Sequence, residues 1–208
     1  YLSMYDQDVG GTGHAANSDH NIAIGSESMN GAWADAKSEQ NVAIGSGTMI
    51  GVLDGANYNV AIGKSALAAV TSGDENVAIG KEAGKALLAG SENTIVGTAA
   101  GDALTSGNGN VIIGDGAGGT TTDVDSVVII GRSAAADGDM TSAADGTVLV
   151  GFESGKALTS GIGNTAIGYQ SLDVNQTSDY NTAVGRSALG AVNSDGTAGN
   201  TAVGYQAG

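Results

Sequence analysis

A chain of 208 residues with no proline, no cysteine, 36 glycines and a formal charge of −15 excludes several classes at once. With only seven lysines and arginines, it lacks the basic patch that a phosphate backbone requires, so nucleic acid is not an expected partner. No apolar run approaches the roughly 18 residues of a membrane helix, and no membrane insertion is expected of this segment.

Residues 1–20 do not follow the pattern of the rest and are rich in Gly, Asp and His. They read as a degenerate first coil or a cap. Tyr1 to Asp6 has neither the basic nor the apolar region of a signal peptide. The chain opens without an initiator Met and stops four residues after its last repeated glycine, so it reads as a segment of a longer fibre protein. His14 and His20 have no cysteine or carboxylate set at metal-ligand spacing, and no metal or cofactor is expected.

From Asn21 to Gly208 one cassette repeats, Asn-Val-Ala-Ile-Gly in its commonest form. Its glycine recurs at Gly25, Gly45, Gly63, Gly80, Gly97, Gly114, Gly131, Gly151, Gly168, Gly185 and Gly204, a step of 17 residues stretched to between 18 and 20 by insertions. A unit this short cannot enclose a core alone and becomes stable by stacking on its neighbours. The expected architecture is a single all-β domain over 21–208, a parallel β-solenoid of eleven coils. Helix over Lys81 to Ala89 is excluded because the same register in another copy reads Gly114 to Thr122.

Counting from the glycine as position 0, position −4 is Asn in nine copies: Asn21, Asn41, Asn59, Asn76, Asn93, Asn110, Asn164, Asn181 and Asn200. Val127 and Thr147 are the exceptions. Recurrence in nearly every turn is what a scaffold requires, so the column is expected to be a structural ladder of side-chain amides rather than a catalytic or sugar site.

Position −1 is always Ile or Val, position −3 is Ile, Val or Thr, and position −2 is Ala or a larger aliphatic. A strand apolar on both faces needs cover on both. One cover is the coil's own interior and the other must be further protein. The small −2 column suggests close approach of a partner, which makes Ala23, Ala43, Ala61, Ala78, Ala166, Ala183 and Ala202 the expected interface residues.

After the glycine come two variable residues, a small one at a tight corner, a second apolar arc and a further corner. Insertions fall between that arc and the Asn, over 31–40, 53–58, 137–146 and 193–199. A solenoid edge carrying insertions is often a binding edge. Trp33 lies in the first insertion, while Tyr58 and Tyr180 immediately precede the Asn of their repeats. These three are the candidate glycan contacts, with packing over the insertions as the alternative. The only glycosylation sequon is Asn175-Gln176-Thr177.

Lys64, Lys81, Arg132 and Arg186 follow the glycine directly, with Glu27, Glu82 and Glu153 at the next position. This mixture reads as a solvated edge that limits lateral aggregation. The one carboxylate group worth weighing as a glycan-cleaving pair or a calcium site is Asp115, Asp123, Asp125, Asp137 and Asp139. Its Gly and Thr context favours loop capping, and no enzyme activity is expected. An ice-binding surface would need an unbroken outward Thr array, which position −3 lacks.

The Asn-Val-Ala-Ile-Gly-X-X-Ala cassette resembles the head repeats of trimeric autotransporter adhesins of the YadA-like kind. The Asn-Thr-Ala-Ile-Gly-Tyr-Gln form at 164–170 is similar to repeats of phage tail-fibre proteins. The resemblance implies a left-handed β-roll, three chains side by side, and a double-sided strand buried between roll interior and trimer axis. It also implies an extracellular setting, on a virion tail fibre or a bacterial surface. The expected function is a homo-oligomeric fibre or shaft that spaces or presents an adhesive tip, extending end to end. The alternative is a carbohydrate-binding or glycan-processing spike. Expected partners are further copies of the chain, with a surface glycan as a candidate ligand.

Overall fold

The computed structural model describes residues 3–6, 20–34, 36–174, 177–191 and 199–208. Positions 193–198 of the last insertion, His14, and Asn175 and Gln176 of the sequon fall outside them. Each coil contributes one three-residue strand made of positions −3 to −1. These are β2 (Ile22–Ile24), β3 (Val42–Ile44), β4 (Val60–Ile62), β5 (Val77–Ile79), β6 (Thr94–Val96) and β7 (Val111–Ile113). They continue with β8 (Val128–Ile130), β9 (Val148–Val150), β10 (Thr165–Ile167), β11 (Thr182–Val184) and β12 (Thr201–Val203). The eleven strands pair in sequence order, all parallel, in a β-solenoid of about ten turns. At about 4.8 Å per strand the stack is roughly 50 Å long. Ahead of it, β1 (Ser3–Asp6) runs antiparallel to β2 and covers its free edge.

Register is strict: Ala61 lies beside Ala43 and Ala78, and the same column continues through every coil. The remainder of each coil is a chain of turns, without the second regular strand that the apolar arc suggested. Its backbone groups nevertheless bond from coil to coil, as in Gly80 N–H to Ile62 O (2.8 Å), Glu82 N–H to Lys64 O (2.8 Å) and Leu88 N–H to Thr105 O (2.9 Å). The only helical element among the described residues is a 3-10 turn, Ser142–Ala144, inside the third insertion.

The cassette glycine is required twice over. Its φ lies between 128° and 142°, and a Cβ there would meet the carbonyl of the next coil's glycine at 2.2–2.6 Å along the stack from Gly25 to Gly185. Left-handed backbone also recurs at non-glycine positions. Position +2 (Glu82, φ 61°), position +4 (Leu67, φ 45°) and position −5 (Glu75, φ 57°) carry it in copy after copy. Such residues cost on the order of 1 kcal/mol or more each and persist where the surroundings determine them, here through the coil-to-coil bonds. The expectation that Asn itself turns the chain is corrected, since the left-handed residue is the one before it.

The interior is filled by positions −2, +4 and +7, and their sizes compensate. Ala43, Ala61, Ala166 and Ala183 accompany Met49, Leu67, Leu172 and Leu189, all buried. Where the strand instead supplies Ile95, Ile112 or Leu149, position +4 shrinks to Gly101, Gly118 or Gly155. A Cβ on Gly155 would come within 2.6 Å of Leu149 Cδ2, and one on Gly101 within 3.2 Å of Ile112 Cδ1. At Gly84, paired with Ala78, the vacant space is taken by Leu67 and Ile95 from the coils on either side.

This coupling predicts a double-mutant cycle. Leu67→Gly alone should lose about 2–5 kcal/mol by cavity formation, and Ala61→Ile alone about 1–3 kcal/mol by overpacking. The double variant recreates the Ile/Gly pairing found at Ile95 and Gly101. Denaturant unfolding should show it more stable than the sum of the two losses by at least about 1 kcal/mol.

Candidate functional surface

Position −4 builds a buried ladder. Asn93 N–H and Nδ2 both donate to Asn76 Oδ1, at 3.1 and 2.9 Å, and Nδ2 also donates to Gly107 O at 2.8 Å. Asn93 Oδ1 in turn accepts both donors of Asn110. The same handover runs from Asn21 to Asn110, stops at Val127, which donates only its N–H to Asn110 Oδ1, and resumes through Thr147 to Asn164, Asn181 and Asn200. A chemically available amide would be needed for catalysis or sugar contact, and these are sealed inside the coil.

A second ladder, which the sequence reading missed, occupies position −6. Asp74 Oδ1 accepts Asn57 N–H (2.7 Å), Asn108 Oδ1 accepts Ser91 N–H (3.0 Å), and Asp125 Oδ1 accepts Asn108 N–H (2.6 Å). Asp145 and Asp179 do the same for Asp125 and Ile162. The signal was a column of Asp, Asn and Ser, visible once position −6 is read down the copies.

The alanines expected at an interface are corrected by this geometry. Ala43, Ala61, Ala78, Ala166 and Ala183 are fully buried inside a single chain, Ala202 is 7 % exposed, and Ala23 packs partly buried against the same core. The reason is parity: successive strand residues alternate faces, so position −2 shares the inward face of the buried Asn at −4. The outward face belongs to positions −3 and −1. There Val and Ile side chains are half-buried to exposed, with Ile79 at 38 % and Ile167 at 41 %.

That outward face has two margins. Along one lies position −5, which includes Tyr58 and Tyr180, 51 % and 60 % exposed. They stand seven coils apart, about 34 Å at strand spacing, and do not form one site. Trp33 belongs to neither margin. It is half-buried against the core, bridged in parallel to Leu53 in the next insertion.

Along the other margin, position +1 carries a stack over five consecutive coils. The Arg132 guanidinium lies 4.7 Å from the Phe152 ring centre, and Phe152 and Tyr169 stack at 5.2 Å and 17°. Arg186 sits between Tyr169 and Tyr205, at 5.2 and 5.7 Å. Sequence reading found the cations and missed the rings between them. Beside the stack, Glu153 accepts from Gln170 Nε2 (2.7 Å) and Lys156 Nζ (3.1 Å), and these bonds hold its carboxyl below the ordinary glutamate range.

The acidic group weighed for catalysis is dispersed into capping roles. Asp123 accepts Ser142 N–H, Asp139 accepts the Thr122 hydroxyl, Asp137 faces Lys156 at 3.5 Å, and Asp115 stands exposed at position +1. Two other carboxyls, Asp102 and Asp173 at position +5, are pushed up from the ordinary aspartate range, chiefly by burial. They lie four coils apart, roughly 19 Å at strand spacing, against the roughly 5–9.5 Å that paired glycosidase carboxyls need. An open hollow of about 310 Å³ beside Asp173 is lined by Ser187, Gly190, Ala191, Gln206 and Gly208, with no second titratable group. Among the described residues no three or more His, Cys, Asp or Glu gather as a metal set, and no helix is long and apolar enough to cross a membrane.

Comparison of the chain with protein-family models, with curated proteins and with solved structures returns no match.

Two measurements test the columns. Asn93→Ala leaves the paired groups of Asn76, Gly107 and Asn110 short of partners and should cost about 2–4 kcal/mol. Asn93→Thr, which introduces the residue found at this position in the coil of Gly151, should cost less. For Asp102 the folded form favours the proton, so its contribution to stability is present at low pH and lost as pH rises from the ordinary aspartate range through the raised folded value. Asp102→Asn should therefore raise the melting temperature at pH 7, and the gain should disappear below about pH 4.

Proposed function

We propose that this chain is a structural fibre or shaft segment, a rod that associates side by side with copies of itself and spaces or presents an adhesive tip. The observation that carries the reading is the outward strand face. Positions −3 and −1 form a stripe of Val and Ile, interrupted only by Thr94, Thr165, Thr182 and Thr201, across all eleven parallel strands. A stripe about 50 Å long and about 10 Å wide reaches the size at which apolar patches on monomers mark contact sites. Its flanks are polar, in keeping with an association surface that has an apolar centre and a solvated rim.

The cassette's resemblance to trimeric adhesin heads and tail-fibre repeats supports three chains and an extracellular setting, on a virion or a bacterial surface. A lone chain would leave the stripe in water, and identical coils around one axis repeat a single favourable contact at every level. The proposal includes no hydrolytic role. The alternative, a glycan-binding spike, draws on the exposed edges of the Phe152, Tyr169 and Tyr205 stack and on the outward Tyr58 and Tyr180.

Light scattering together with electron microscopy should show a rod of two or more chains, and a folded monomer at all concentrations would sink the reading. Ile79→Lys should convert that assembly into folded monomers with unchanged far-ultraviolet circular dichroism. Ala78→Glu, which buries a charge inside the coil, should instead unfold the chain, at a cost of several kcal/mol.

A further inference from the structure

The two margins of the outward face match each other level by level. In the coil of Gly80 the +1 margin carries Lys81 and the −5 margin Glu75, opposite charges at one height. In the coils of Gly63 and Gly185 the pairs are Lys64 with Tyr58 and Arg186 with Tyr180, each a cation with an exposed ring. Where position +1 bears the bulky Phe152 or Tyr205, position −5 of the same coil is Gly146 or Gly199. A Cβ built on either glycine meets nothing within 4 Å, so both are open notches.

Within one chain these partners cannot meet. Six residues separate positions −5 and +1, about 20 Å of extended strand. The match therefore has a use only between chains, and we propose that the covering partner is a second copy running parallel and in register. In that arrangement the +1 margin of one copy lies against the −5 margin of the next at the same height.

Symmetry makes the orientation specific. Any rotation axis parallel to the rod brings a +1 margin onto the neighbour's −5 margin without changing level, so Lys81 meets Glu75, and Phe152 and Tyr205 enter the Gly146 and Gly199 notches. A two-fold axis perpendicular to the rod sets like margin against like and reverses the order of the coils. With the eleven coils fully overlapped, that places the sixth coil against itself and opposes Asp115 to its own copy, a repulsive contact. Each chain carries a formal charge of −15, so close parallel association needs local opposite-charge and cation–ring contacts along its seam.

This inference rests on the self-association proposed above, and the test separates the two. The protein has no cysteine, so a Glu75→Cys/Lys81→Cys variant carries only the two introduced thiols, too far apart to bridge within one chain. Under mild oxidation it should form inter-chain disulfides and run as covalent multimers on a non-reducing gel, while each single variant stays uncross-linked. In parallel, Lys81→Glu and Glu75→Lys should each raise the dissociation constant about tenfold, and the double exchange should restore it. An assembly that persists in solution with neither the 75–81 link nor rescue by the double exchange overturns the register and leaves the fibre reading standing. A monomeric unmutated protein overturns both.

Discussion

Every side chain in this molecule must tolerate a neighbour from the next turn about 4.8 Å away, and in most columns that neighbour is of the same kind. This constraint selects the residues. Buried polar groups survive only in forms that can both give and take along the column, which a side-chain amide does and a lone carboxylate does not. Asn supplies one oxygen to two donors above it and two donors to acceptors below, so each buried amide has its partners. Where the column changes identity, at Val127 and Thr147, the handover is broken and then rebuilt with a hydroxyl.

The same constraint explains why the interior is not uniform. Stacked alanines alone would leave the coil hollow, and stacked isoleucines opposite leucines would not fit, so large and small exchange places between positions −2 and +4 as the stack proceeds. The exchange takes place over several coils, with Gly84 at the boundary filled from both sides. Close packing is thus kept while the backbone repeats without change. One buried group stands outside this account: Thr121 replaces a leucine of position +7, and its hydroxyl has no partner among the described residues.

The repeat, the parallel stack and the single strand per coil were legible in the sequence because each is marked by the same residue at a constant spacing. The face of the strand was not, because a strand apolar on both sides gives no contrast between inside and outside. Parity with the Asn column resolves it. If Asn21 and its successors form an internal ladder, Ala23 and its successors point the same way, and the β-branched residues must point out. The −6 ladder was hidden because Asp, Asn and Ser serve it interchangeably. The Arg132 to Tyr205 stack was hidden because cations and rings alternate in it, and each type looked sparse alone.

The gap in the Asn ladder also bears on how such a rod carries load. Bonds between coils lie along the axis, so under tension the coil boundaries act in series, and the rod is as strong as its weakest boundary. Between β8 and β9 no side-chain amide spans the interior, since Val127 has none to offer Thr147, and the intervening turn carries the insertion with the 3-10 segment. That boundary is the mechanical fuse. A coil released there converts about 4.8 Å of rod into about 60–70 Å of extended chain, a more than tenfold gain in length. A shaft pulled at its tip would lengthen there before any other coil parted.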